Sequence, residues 1–154
     1  MNRDTIRGGR SRSRDRLLAW KLKLLVDYIE AHLGDKITAR DLASHIDVSV
    51  GHLFRAFRAS VGVSPLRYVA TRRVELVCTM LITTREPICQ IALVCGFSDQ
   101  AHLCKVFRRT TGMSPSAWRR AMTADPRIRT PAPNIETDEF VDQRTPDELH
   151  ACQG

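Results

Sequence analysis

The tightest constraint on this chain is that part of it is written twice. His52-Leu53-Phe54-Arg55-Ala56-Phe57-Arg58, then Gly62-Val63-Ser64-Pro65, returns fifty residues later. The second copy reads His102-Leu103-Cys104-Lys105-Val106-Phe107-Arg108, then Gly112-Met113-Ser114-Pro115. Upstream, Leu42-Ala43 matches Ile91-Ala92 at a shift of forty-nine, so the second copy holds one extra residue in or next to its turn. Self-similarity of this kind marks one supersecondary unit used twice. Each copy reads as a short helix, a turn of three or four residues and a second helix, the sequence form of a helix-turn-helix.

Local signals set the frame around the repeat. Leu18, Leu22, Leu25, Ile29 and Leu33 recur at helical spacing, and Gly34 reads as the stop that follows. Thr38 opens the next helix, with Asp41 three residues on near its positive end. That helix runs to about Ile46, Asp47-Val48 forms a tight turn, and Ser49 caps a helix ending near Gly62. Ser64-Pro65 starts a long helix with no breaker until Pro87, and Leu66, Val69, Val77 and Leu81 supply its apolar face. Pro87 begins a helix to Cys95, and Ser98 or Asp99 caps one reaching about Thr111. Ser114-Pro115 opens a last short helix through Trp118. The expected architecture is all-α: two helix-turn-helix subdomains over residues 17–122, joined by a long central helix. Residues 1–16 read as a flexible basic arm, and residues 123–154 as a disordered, Pro-rich acidic tail.

In each repeat the second helix has two faces. Leu53 with Phe57, and Leu103 with Phe107, lie four apart and point inward, while Ala43 and Ala92 are small where two helices approach. Outward stand Arg55 and Arg58 in the first copy, and Lys105, Arg108 and Arg109 in the second, cations suited to phosphates and base edges. From Pro65 to Ile82 the connecting helix spans about 27 Å at ~1.5 Å per residue. Units held at that separation could reach successive major-groove segments about 34 Å apart, particularly on bent DNA.

Charge supports an anionic partner and is uneven. Residues 125–154 carry seven acids against three arginines, a net of −4, which leaves +11 on the first 124 of a chain whose total is +7. Double-stranded DNA or a basic solubility surface would both account for this. Five cysteines with no C-x-x-C spacing argue against a disulfide framework or a four-ligand zinc site, so no metal or cofactor is expected. There is no apolar run of membrane-spanning length, and the cytoplasm is the default location. An enzyme is disfavoured, because Gly-rich phosphate loops and paired carboxylates in apolar settings are missing.

The run Leu42-Ala43, Ser49, His52-Leu53, Phe57, Gly62, Ser64-Pro65 and Tyr68 resembles the AraC/XylS transcriptional regulators. Ile91-Ala92, Gly96-Phe97-Ser98, Phe107, Gly112 and Ser114-Pro115 are similar to that family's signature region. The resemblance covers roughly residues 20–122. It implies a seven-helix DNA-binding domain of a transcription factor, usually an activator that contacts RNA polymerase. Carried over by position, the base-reading residues are Gly51, Phe54 and Arg55 on the third helix, and Gln100, Ala101, Cys104 and Lys105 on the sixth. Gly51, Ala101 and Cys104 depart from the polar residues often found there and would contribute little directional bonding. Phosphate contacts are expected from His52, Arg58, His102, Arg108 and Arg109. Only about sixteen residues precede the first helix, so no small-molecule sensor domain is expected in this chain.

Other readings compete at single residues. Phe54 either meets a thymine methyl or folds back on a neighbouring element. His52 and His102 serve phosphates or pack on the helix surface, while Tyr68 and Trp118 are expected in the core. Cys104 is either a small packed residue or, on the DNA face, a redox-sensitive one. For the whole chain the alternatives are a nucleoid-type binder without sequence preference, and a partner-binding adaptor that has lost DNA readout.

Overall fold

Two hydrophobic cores sit one after the other along a single long helix. The computed structural model describes residues 16–124; residues 1–15 of the expected arm and 125–154 of the expected tail lie outside the described residues, while Thr123 and Ala124, expected in that tail, belong to the last helix. Seven helices make up the described part: α1 (Ala19–Ala31), α2 (Ala39–His45), α3 (Val50–Val61), α4 (Pro65–Thr83), α5 (Ile88–Val94), α6 (Gln100–Thr111) and α7 (Pro115–Ala124). No strand occurs among them. Leu25, Ile29, Leu42, Leu53, Phe57 and Val69 build the first core. Val74, Val77, Leu81, Ile91, Leu103, Phe107 and Trp118 build the second. The central helix is therefore a shared wall: Val69 faces one core, Val74, Val77 and Leu81 face the other, and Leu76 packs against both.

The caps explain why the chain breaks where it does. Thr38 and Asp41 form a reciprocal capping box at α2, the Thr38 hydroxyl accepting from the Asp41 N–H and the Asp41 carboxylate accepting from the Thr38 N–H. Ser49 accepts from the His52 N–H at α3, and Ser64 from the Arg67 N–H at α4. Asp99 caps α6, resolving the choice between it and Ser98. Gly62 and Gly112 end α3 and α6 with φ of 90° and 83°, a left-handed conformation that penalises any Cβ.

The repeat also shows where its extra residue lies. Asp47 and Gly96 both take positive φ, and the bonds Val48 N–H to Ala43 C=O and Phe97 N–H to Ala92 C=O close the turns identically. Up to that point the shift is forty-nine; from the caps Ser49 and Asp99 it is fifty. Ser98 is the insertion.

Three expectations change. Leu18 has the spacing of the apolar stripe but is 61% exposed, because it is the N-cap and lies outside the helix. Leu17 enters the core instead, its N–H donating to the Ser60 hydroxyl at 3.0 Å. Gly34 does not stop α1, which ends three residues earlier at Ala31. The last helix continues past Trp118 to Ala124. Tyr68 is half-buried and meets Phe57 edge-on, whereas its counterpart Trp118 is fully buried against Phe107.

Candidate nucleic-acid interface

On α3, burial of Leu53, Ala56 and Phe57 fixes which face is left for solvent. Gly51, Arg55 and Arg58 stand exposed at i, i+4 and i+7, one stripe along the helix. On α6, Leu103, Val106 and Phe107 are buried, and Gln100, Ala101, His102, Lys105, Arg108 and Arg109 are exposed. Both stripes thus put cations on the face opposite a core. Arg55 lies back along its helix: a Cβ built on Gly51 would be 4.0 Å from its Nη1. The glycine leaves that guanidinium room to lie low or to rise.

Phe54 and Cys104 occupy the same place in the two units, and both are half-buried. Neither belongs to the residues packed on either core. The two histidines diverge. His52 is half-buried, whereas the His102 Nδ1 meets the inserted Ser98 hydroxyl at 3.1 Å and its ring stands edge-on to Phe97. Ser98 also donates to the Asp99 carboxylate at 3.2 Å. The Asp99 carboxyl is held below its ordinary value, first by the His102 N–H it accepts. Helix α6 therefore starts with a fixed negative charge where α3 starts with a neutral serine.

Other basic residues of the chain are held within the fold. Arg72 forms a two-pronged ion pair with Glu30, at 2.6 and 3.0 Å, and also bonds Glu75, so hydrogen bonding raises its pKa above the ordinary arginine value. Arg73 donates to the carbonyls of Leu33 and Asp35, Arg119 to those of Leu81 and Glu86, and Lys21 to that of Ile46. These four hold helix ends and turns. Apart from Glu75, three residues from Arg72, their partners lie 25 to 42 residues away, so a local pattern does not separate them from Arg55 or Lys105.

The cysteines differ in burial. Cys95 is buried with its sulfur 3.6 Å from that of Met80, and burial pushes its thiol up to about 11. Cys78 is raised to about 11 for the same reason. Both are protonated at neutral pH and poor nucleophiles. Among the described residues no group of three or more His, Cys, Asp or Glu could hold a metal ion, and no helix is long and apolar enough to cross a membrane.

The family profile described as a helix-turn-helix domain matches residues 42–121, which takes in both units and the helix between them. The chain belongs to the AraC/XylS family. Among AraC/XylS relatives, the arabinose operon regulatory protein of Escherichia coli K12 is 36% identical over 93 residues, 60% of this chain and 32% of the relative. The probable transcriptional regulator LumQ of Photobacterium leiognathi is 34% identical over 95 residues, 62% of this chain and 38% of the relative. The chain thus matches about a third of the length of these curated relatives. Among solved AraC/XylS structures, the DNA-binding domain of AdpA in complex with a target DNA aligns with TM-score 0.66 and 31% identity. That alignment covers 70% of this chain and 97% of the AdpA domain. An AraC-type regulator from Chromobacterium violaceum aligns with TM-score 0.63 and 31% identity, over 69% and 94% of the two chains.

Proposed function

We propose that this protein is a sequence-specific DNA-binding transcription regulator that inserts α3 and α6 into successive major-groove segments of double-stranded DNA. The observation that carries the reading is the repeated amphipathic helix. Each copy is twelve residues long, capped at both ends, seated on its own core by Leu and Phe, and cationic on the opposite face. A single use of that pattern would fit many surfaces; two uses joined by an unbroken nineteen-residue helix fit a polymer with a repeating groove. The AdpA domain, similar over nearly its whole length, is held on a target DNA.

Within this reading Arg55 reads guanine and Gln100 serves adenine or a phosphate, with Lys105 alongside. Gly51 and Ala101 allow close approach of the helix, and Phe54 and Cys104 offer apolar surface to a thymine methyl. Arg58, Arg108 and Arg109, with His52 and His102, serve phosphates. Activation through contact with RNA polymerase, and action in the cytoplasm, complete the proposal on the strength of the family.

The test is affinity for sites selected from random DNA against affinity for random duplex at equal salt. Specific regulators bind their sites roughly 10³-fold or more tightly than random DNA. A ratio near one would establish a nucleoid-type binder instead, and binding to neither would leave a partner-binding adaptor.

A further inference from the structure

The two helical units touch away from α4 as well as along it. Arg73, at the point where α4 passes from one core to the other, donates from Nε to the Leu33 carbonyl at 2.9 Å and from Nη2 to the Asp35 carbonyl at 2.6 Å. Both carbonyls belong to the turn between α1 and α2. The same guanidinium lies against the turn between α5 and α6: a Cβ built on Gly96 would be 2.8 Å from Nη2 and 2.9 Å from Cζ. That Cβ would also be 2.4 Å from the Leu33 carbonyl oxygen, and one on Gly34 would be 2.8 Å from the Val94 carbonyl oxygen. Two turns from different units thus meet backbone to backbone, with Arg73 between them. Burial lowers the Arg73 pKa, with Asp35 and the Cys95 sulfur acting in the opposite direction.

A single helix is a poor protractor. Long helices bend, and a hinge at one point leaves both twist and tilt between two bodies free to vary. A second attachment off the helix axis removes that freedom. The 94–96 turn leads within a few residues into α6, and the 33–35 turn leads into the α2–α3 unit, so the contact acts on both reading helices.

We propose that Arg73, Gly34 and Gly96 form a clamp that sets the angle between α3 and α6, so that Arg73 is a positioning residue for the spacing between half-sites. The proposal rests on the two-groove reading above. Arg73 contacts no DNA in this account; it determines which separation and rotation of two half-sites the protein accepts. Each base pair inserted between half-sites turns one against the other by about a tenth of a helical turn, a mismatch a clamped protein resists and a hinged one absorbs.

The experiment uses the full chain and a duplex selected by it from random DNA, together with versions carrying one and two extra base pairs between the half-sites. Affinity is measured for the unaltered protein, Arg73→Met, Arg73→Lys and Gly34→Ala, with footprints on the selected duplex. The unaltered protein should lose at least about tenfold on the spaced duplexes, the scale of one badly read base pair. Arg73→Met and Gly34→Ala should bind the selected duplex more weakly and narrow the gap between duplexes. Arg73→Lys, keeping the charge but only one donor nitrogen, should fall between. Should Arg73→Met unfold, the Gly34→Ala and Arg73→Lys ratios decide. Equal weakening on every duplex, with the spacing ratio unchanged, would show that the residue only stabilises the fold and would overturn the clamp. A footprint of the unaltered protein over one groove alone would overturn the two-groove reading and the clamp with it.

Discussion

In the first unit the short helix α2 carries the charged cap, Asp41 with Thr38, and the reading helix α3 carries the neutral one, Ser49. In the second unit α5 follows Pro87 with no side-chain cap, and the reading helix α6 carries the charged Asp99. The acid has moved from the supporting helix to the presenting one. Beneath the helices the contrast runs the other way. Tyr68 is half-buried beside Phe57, while Trp118 is fully buried beside Phe107. A duplicated plan has been finished with a heavier core and a more acidic reading edge in its second half. The lesson is that backbone geometry repeats faithfully while caps, fillers and outward residues vary, so one fold presents two different outward faces.

The largest test of that contrast concerns the cores. Trp118→Ala should cost about 3–5 kcal/mol in urea unfolding, and Tyr68→Ala clearly less, since the tyrosine leaves a smaller cavity in a wetter place. Equal losses would erase the claimed difference. The buried Trp118 Nε1 has no hydrogen-bond partner among the described residues, a deficit of about 1–3 kcal/mol that Trp118→Phe would remove while opening a smaller void. Trp118→Phe should therefore be much milder than Trp118→Ala.

Next in size are the outward residues. Arg55→Ala should cost about 1–3 kcal/mol in DNA binding and relax preference at one base pair, as seen in site selection. Arg108→Ala should weaken binding to all sequences alike and reduce the slope of affinity against salt by about one. An exchange of those two signatures would show the roles reversed.

A smaller effect makes the first unit resemble the second. Gly51 matches Ala101, and its Cβ position is crowded by nothing nearer than Arg55 Nη1 at 4.0 Å. Gly51→Ala should raise stability by about 0.5–1 kcal/mol, read as a higher Tm. A fall in Tm would mean that the glycine is needed for backbone conformation.

The smallest effect is on acid sensitivity. The folded pKa values of Asp41 and Asp99 lie below their ordinary values, Asp41 through the Thr38 hydroxyl first and Asp99 through the His102 N–H first. Their stabilisation is present above the unfolded carboxyl pKa of about 3.9 and is lost as pH falls through the folded values. Asp99→Ser should lessen the loss of stability of the second unit in acid, measured by hydrogen exchange in α6. The first unit should keep its sensitivity through Asp41.

Much of this is legible in the amino-acid sequence. Ser-Pro pairs, glycine stops and the repeat marked seven helices, because caps and periodicity act within a few residues of where they are written. The failures share a physical cause. Leu18 kept the apolar rhythm but fell one residue outside the helix. Gly34 looked like a stop, yet it allows contact with a carbonyl sixty residues away. Arg73, Arg119 and Lys21 bind distant carbonyls, and Arg72 a distant carboxylate, that no local spacing announces, so a net charge counts them together with the outward cations. The Ser98 insertion was countable as one residue, but only the matching turn bonds placed it.

The central claim is that two different helices read two stretches of one DNA. Base-by-base preference, measured in parallel for the unaltered protein, Arg55→Ala and Lys105→Ala, tests it most directly. The account predicts that the two substitutions relax specificity in separate segments about 10 base pairs apart. Loss confined to a single shared segment, or an unchanged profile for either variant, would contradict it.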